Sequence, residues 1–185
     1  MKYYVVTYRG DFGFIKPWSA VRDSETFSQQ FLTPSIIEGM RQKLEVESIL
    51  RHKLTYAALN SQQEVIQSKA FEKKRNQYSR TKSILIRSVM INPALTLAFS
   101  SFEDAHKASK QHLCLCRNED IIFPFGSVKE MEEEAFNELD GFELRFGNHE
   151  KAFMVGYNRF DENKPMKGWI EITGNPIKNV EYEYF

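Results

Sequence analysis

Thr33-Pro34-Ser35-Ile36-Ile37-Glu38-Gly39-Met40-Arg41-Gln42-Lys43-Leu44 is the stretch on which the fold turns. Thr33 suits an N-cap and Pro34 the first helical position, while Ile36, Ile37, Met40 and Leu44 fall on one helical face that must pack on a sheet. Working outward, Tyr3 to Tyr8 alternates with period two and predicts a strand. Gly10-Asp11-Phe12-Gly13-Phe14 follows as a sharp turn among aromatics, and Lys16 to Gln30 reads as loop. On the other side, Lys53 to Asn60 predicts a second strand, followed by a long polar stretch from Ser61 to Ser83. Strand character resumes at Ile84–Ile91, breaks at Asn92-Pro93 and continues through Leu95–Phe99. Ser101 can cap a helix reaching Lys110, and His112 to Cys116 reads as another strand. The order is β-α-β, insertion, β-α-β. This predicts an α+β fold of the ferredoxin-like (RRM-like) βαββαβ type, the split βαβ arrangement that RNA-recognition sheets also use.

After Arg117 the pattern changes to an acidic helix around Glu130 to Leu139. Short strands are then expected at Phe142–Phe146, Lys151–Tyr157, Gly168–Thr173 and Val180–Phe185. The expected division is a ferredoxin-like domain over 1–116, with an inserted arm at about 61–83, and a small, mostly β C-terminal extension over 117–185 packed on the same core. The 185 residues, 42% hydrophobic and 14% aromatic, supply enough apolar area to order such a core, which excludes a disordered chain. No apolar run approaches the roughly 18 residues of a membrane span, and the N-terminus lacks a signal-peptide apolar core, so a cytoplasmic protein is expected. Cys114 and Cys116 lie two apart, which on a strand puts both thiols on one face without relaxed disulfide geometry. With no second ligand pair they read as small buried hydrophobes rather than a zinc site, so no metal and no cofactor is expected.

A formal net charge of zero hides a separation along the chain. Between Arg41 and Arg87 eleven basic residues stand against four acidic ones, and from Asn118 to Lys151 ten acidic residues stand against three basic ones. Either the basic region holds a polyanion while the acidic one meets a basic protein, or the two neutralise each other within the monomer.

No Walker-type glycine loop, paired metal-ligand motif or nucleophile elbow is present, which removes most enzyme classes. Metal-free ribonuclease chemistry needs a base for the 2′-hydroxyl, an acid for the leaving oxygen and a cation for the developing phosphorane charge. Lys110 and His112, at a helix–strand junction, with Tyr78 as companion, are the candidates for it. An isolated junction histidine is, however, more often a surface or hydrogen-bonded structural residue. His52, flanked by Arg51 and Lys53, reads as a phosphate contact or an exposed strand-start residue. The basic insertion carries more: Lys73, Lys74, Arg75, Arg80 and Lys82 can pair with phosphates while Tyr78 stacks on unpaired bases. Arg9, Lys16 and Trp18 add a basic and aromatic rim at the end of the first strand, although Trp18 also fits a packing role.

Tyr8-Arg9-Gly10-Asp11-Phe12-Gly13-Phe14-Ile15-Lys16-Pro17, then Ser24-Glu25-Thr26-Phe27, then Leu32 to Met40, resembles the start of the fifth CRISPR-associated protein family. These are RAMP-superfamily subunits that bind the crRNA 5′ handle and cap one end of Cascade-type complexes. In that family a first strand leads into a Gly-Asp-aromatic turn and a Phe-x-x-Pro stretch, then a Thr-Pro-Ser or Pro-Pro-Ser helix start. The resemblance covers about residues 3–116; the Leu-Gly of the family's later strand is replaced here by Leu113-Cys114-Leu115. It implies a ferredoxin-like domain whose inserted thumb folds over crRNA and touches the adjacent backbone subunit. It also implies a neighbouring large subunit and an indirect role at target DNA. The implied RNA contacts are Arg9, Lys16, Trp18, Ser35, Lys73, Lys74, Arg75 and Arg80. One branch of the family cleaves precursor crRNA through a Tyr, Lys and His group; here Gln111 separates Lys110 from His112 and no partner tyrosine is placed, which favours a subunit that only binds.

Overall fold

A computed structural model of the chain describes residues 1–17, 25–67, 72–80, 82–158 and 162–178, with the side chains of Gln67, Glu72 and Lys74 excepted. The elements in chain order are β1 (Lys2–Arg9), β2 (Phe12–Gly13), β3 (Glu25–Phe27), α1 (Pro34–Leu44), β4 (Arg51–Thr55), β5 (Ala58–Gln67), β6 (Glu72–Lys74), β7 (Gln77–Ser79) and β8 (Lys82–Ile91). Then come β9 (Ala94–Phe99), α2 (Phe102–Ala108), β10 (Leu113–Cys114), β11 (Ile121–Glu132), α3 (Glu133–Glu138), β12 (Gly141–Phe146), β13 (Phe153–Asn158) and β14 (Lys164–Thr173). The expected strand at Val180–Phe185 lies outside the described residues.

One sheet runs β10-β11-β1-β9-β4-β12-β14-β13, each strand antiparallel to its neighbours. On one face, Val6 and Tyr8 of β1, Leu54 of β4, Leu95, Leu97 and Phe99 of β9 and Ile122 of β11 form a core. Met40 and Leu44 of α1 and Ala105 and Ala108 of α2 close it. The Tyr8 hydroxyl is satisfied there by donating to the Ala108 carbonyl at 2.7 Å. Helix α1 starts as its sequence dictates: Thr33 is the N-cap, its hydroxyl accepts from the Ile36 N–H at 3.4 Å, and Pro34 opens the first turn. On the opposite face α3 covers only part of the sheet, where Phe136 packs on Tyr3, Val5 and Ala98.

The stretch from Lys53 to Asn60, expected as one strand, and the one interrupted at Asn92-Pro93 are each bent between the core and an arm. Strand β4 ends at Thr55 and β5 begins at Ala58; β8 ends at Ile91 and β9 begins at Ala94. Asn92, at φ +50°, makes the second bend in the left-handed region that asparagine tolerates better than most side chains. Strands β5 and β8 pair from Ala58↔Ile91 to Gln67↔Lys82, an antiparallel arm about 30 Å long. The β6–β7 hairpin continues beyond them. Strands β2 and β3 flank β8, so the Gly-Asp turn after β1 is stitched to the root of the arm: Gly10 N–H donates to the Pro93 carbonyl at 3.2 Å and Asn92 N–H to the Asp11 carbonyl at 2.8 Å. A Cβ on Gly10 would stand 2.6 Å from the Ile121 backbone oxygen, so only glycine lets β1 leave the sheet this close to β11.

Two expectations are corrected here. The core strand beside β1 is β11, running to Glu132, so the acidic stretch read as helix from Glu130 is still strand there and turns helical only at Glu133. The segment around His112–Cys116 contributes only the short β10, in the opposite phase to the one expected: Leu113 and Leu115 are buried and both free cysteines are exposed.

Candidate nucleic-acid interface

Much of the basic excess before Arg87 is spent inside the monomer. Arg41 pairs with Glu38 and Arg87 with Glu64. Arg51 and Lys53 both reach Glu143 on β12: Arg51 grips its carboxylate with two nitrogens, one of them Nη2 at 2.7 Å, and Lys53 Nζ stands 3.6 Å away. Burial pulls the Lys53 ammonium below its usual pKa, against the attraction of Glu143. This group joins the first half of the chain to the last across the β4–β12 seam.

Among the described residues, Lys43 is exposed at the end of α1, and the other exposed cations between Arg41 and Arg87 lie on the arm. Lys73, Arg75, Tyr78, Arg80 and Lys82 are all exposed on or beside the tip hairpin, Tyr78 at 68%, and Lys73 Nζ lies 5.9 Å from the centre of the Tyr78 ring. Arg75 opens the two-residue turn between β6 and β7 at φ +57°, a position where glycine is the easy choice. The chain instead places a cation at the extreme end of the arm. Lys74 lends its backbone to β6, its side chain being outside the described set, and Trp18 also lies outside the described residues.

The other expected contacts stand apart from the tip. Arg9 is exposed at the end of β1, its guanidinium carbon 3.9 Å above the centre of the Phe125 ring. Lys16 is exposed in the segment after β2, beside Ile15, whose N–H donates to Ser28 Oγ at 2.9 Å. Ser35 is exposed in the first turn of α1, its hydroxyl 3.1 Å from that of Thr33, and that turn carries no acidic side chain to offset the helix dipole.

His52 is corrected outright. It is buried beneath the sheet, and its Nε2 accepts the N–H groups of Leu32 at 3.2 Å and Leu144 at 3.3 Å. Two backbone donors on one nitrogen require the neutral ring. Burial first, and then the charges of Arg51 and Lys53, push its pKa down to about 3. It therefore meets no phosphate. Because the unfolded chain takes up this proton near pH 6.5 and the folded one does not until about 3, His52 costs stability as pH falls through that window, at about 1.4 kcal/mol per pH unit. Urea melts between pH 7 and 4.5 should show this slope, and His52→Gln, which keeps an acceptor, should flatten it. Parallel slopes for the two proteins would contradict the assignment.

The ribonuclease candidates lie on separate elements. Tyr78 is on the arm's tip hairpin, whereas Lys110 and His112 lie in the turn between α2 and β10, where the His112 ring is 6.1 Å from that of Phe123. Among the described residues no cluster of three or more His, Cys, Asp or Glu is placed to hold a metal ion. Exposed Phe123 and Phe125 on β11 were not anticipated from sequence. Their signal was the alternation Ile122-Phe-Pro-Phe125, hidden because the core strand was placed before Arg117.

No protein-family model matches the chain, and no curated protein matches it. A solved structure described as a Cas protein is similar to it with a TM-score of 0.47 and 14% identity, over 96% of this chain and 100% of that one. No helix among the described residues is long and apolar enough to cross a membrane.

Proposed function

We propose that the chain is a non-catalytic RNA-binding subunit of a Class 1 CRISPR effector of the Cascade type, holding the 5′ handle of crRNA and capping the backbone filament. The observation that carries this reading is the arm: a two-stranded projection whose end exposes Lys73, Arg75, Tyr78, Arg80 and Lys82 together. Cations on a projecting ribbon can follow a phosphate backbone, and a tyrosine among them offers a face to an unpaired base. The order β11-β1-β9-β4, with α1 and α2 packed on one face, supports the ferredoxin-like reading. The Gly10–Gly13 turn at the arm's root supports the resemblance of the N-terminal motifs to the fifth CRISPR-associated family. On this reading the partners are the crRNA 5′ handle, the adjacent backbone subunit and the large subunit, with target DNA met through the crRNA.

Incubating the purified chain with end-labelled CRISPR-repeat RNA in excess EDTA, on native and denaturing gels, tests it. The expected result is a shifted, intact band. A discrete cut without metal would replace the binding subunit by a ribonuclease using Lys110, His112 and Tyr78, and an unshifted band would overturn RNA binding by the chain itself.

A further inference from the structure

We propose that Phe123 and Phe125, with Arg9 and His112 beside their rings, form a stacking platform for unpaired nucleobases of single-stranded RNA. The inference rests on the RNA-binding reading above and adds to it a second contact region, away from the arm's tip. Residues at alternate positions of β11 split cleanly: Ile122 is fully buried under the helices, whereas Phe123 is 59% and Phe125 55% exposed on the other face. Solvent-facing positions of an antiparallel strand are ordinarily polar, so two successive phenylalanines there, about 7 Å apart, call for a ligand. Strand pairing sets Phe123 opposite Arg9 and Phe125 opposite Thr7, while Thr7 and Thr96 of the next strand share a hydroxyl contact at 3.1 Å. A bulge with Gly126 at φ +78° interrupts the β1–β11 register just after Phe125. Helix α3 covers the far part of the same face, over Tyr3, Val5 and Ala98, and leaves this part open.

The chemistry around the rings selects the ligand. Arg9 stands 3.9 Å over Phe125 and the tilted His112 ring lies 6.1 Å from Phe123, so each phenylalanine has a planar, nitrogen-bearing neighbour instead of more aliphatic surface. An aliphatic protein partner would gain little from that surround. A flat heteroaromatic base stacks on phenylalanine, histidine and guanidinium alike, with the cation close to its phosphate. The position fits as well: Arg9 precedes the Gly10–Pro93 bond at the arm's root, so an RNA strand resting on the rings lies beside the element that carries the exposed cations.

The test compares a fluorescein-labelled single-stranded repeat RNA with an abasic strand of equal length, which keeps the phosphates and lacks the bases. The wild-type chain is expected to bind the normal strand more tightly. Phe123→Ala/Phe125→Ala should lose about tenfold per ring on the normal strand and nothing on the abasic one. Phe123→Leu/Phe125→Leu, which preserves apolar area and guards against a folding defect, should lose nearly as much. Equal losses on both strands, or full affinity in the leucine variant, would overturn the platform; the latter would leave the rings as a protein-docking surface. If arm variants abolish binding while ring variants do not, only the platform falls. If the wild-type chain binds neither strand, the RNA-binding reading falls and the platform with it.

Discussion

Replacing Glu143 by Ala is expected to cost about 3–5 kcal/mol of folding stability, a large share of what a domain of this size possesses. The side chain is 1% exposed and holds two cations, Arg51 and Lys53, of which Lys53 is itself only 2% exposed. The other partners, Thr173 Oγ1 accepting from Lys53 Nζ at 2.8 Å, Asn137 Oδ1 accepting from Arg51 Nη1 at 3.0 Å and Tyr3 beside Arg51, are uncharged, and Glu171 adds to Lys53 only a weaker attraction than Glu143 does. Removing the carboxylate leaves the Lys53 charge, 2% exposed, without its ion-pair partner, which is why breaking a buried pair costs more than the pair contributes. The damage concentrates at the β4–β12 junction, where the strand ladder records only the Phe142↔Leu54 pairing. Urea unfolding should rank the wild type most stable, Glu143→Gln between and Glu143→Ala least stable. A loss below about 1 kcal/mol for Glu143→Ala would show that solvent reaches the cluster.

The second large effect is expected on RNA and not on stability. Changing Lys73, Arg75, Arg80 and Lys82 together to Glu should weaken binding of single-stranded repeat RNA by about a thousandfold or more at 0.1 M salt. Each lost phosphate contact on a single strand forfeits about 0.7 of a decade per decade of salt, and the new carboxylates repel the phosphates. All four positions are exposed, so the melting temperature should move by no more than about 2 °C. A variant that melts normally yet binds like the wild type would remove the arm from the interface.

The parts legible in the sequence are those with a strong local cause. Strand β1 alternates because one face meets α2 and the other is half covered by α3; α1 announces itself through Thr33 and Pro34. The arm was legible as a basic insertion but not as paired strands. Its outer half alternates only between exposed and half-buried positions, with Val65 and Ile84 exposed opposite each other, so the sequence there lacks the apolar–polar period of a strand packed on a core. Strand β11 was missed for a related reason. Its inward Ile122 and Pro124 alternate with Ile121, Phe123 and Phe125 instead of polar residues, and its end, Lys129-Glu-Met-Glu132, pairs with Lys2 to Val5 of β1 although its composition suits a helix. His52 was misread because its charged neighbours Arg51 and Lys53 point to the opposite face of β4, which the sequence could show only once that strand was known to be covered on both sides.

The most direct test of the central claim is the salt dependence of RNA binding, measured between about 50 and 200 mM for the wild-type chain and the four-residue arm variant. An arm that grips the phosphate backbone predicts a logarithmic slope about three units less steep in the variant than in the wild type. Equal slopes for the two proteins would contradict it.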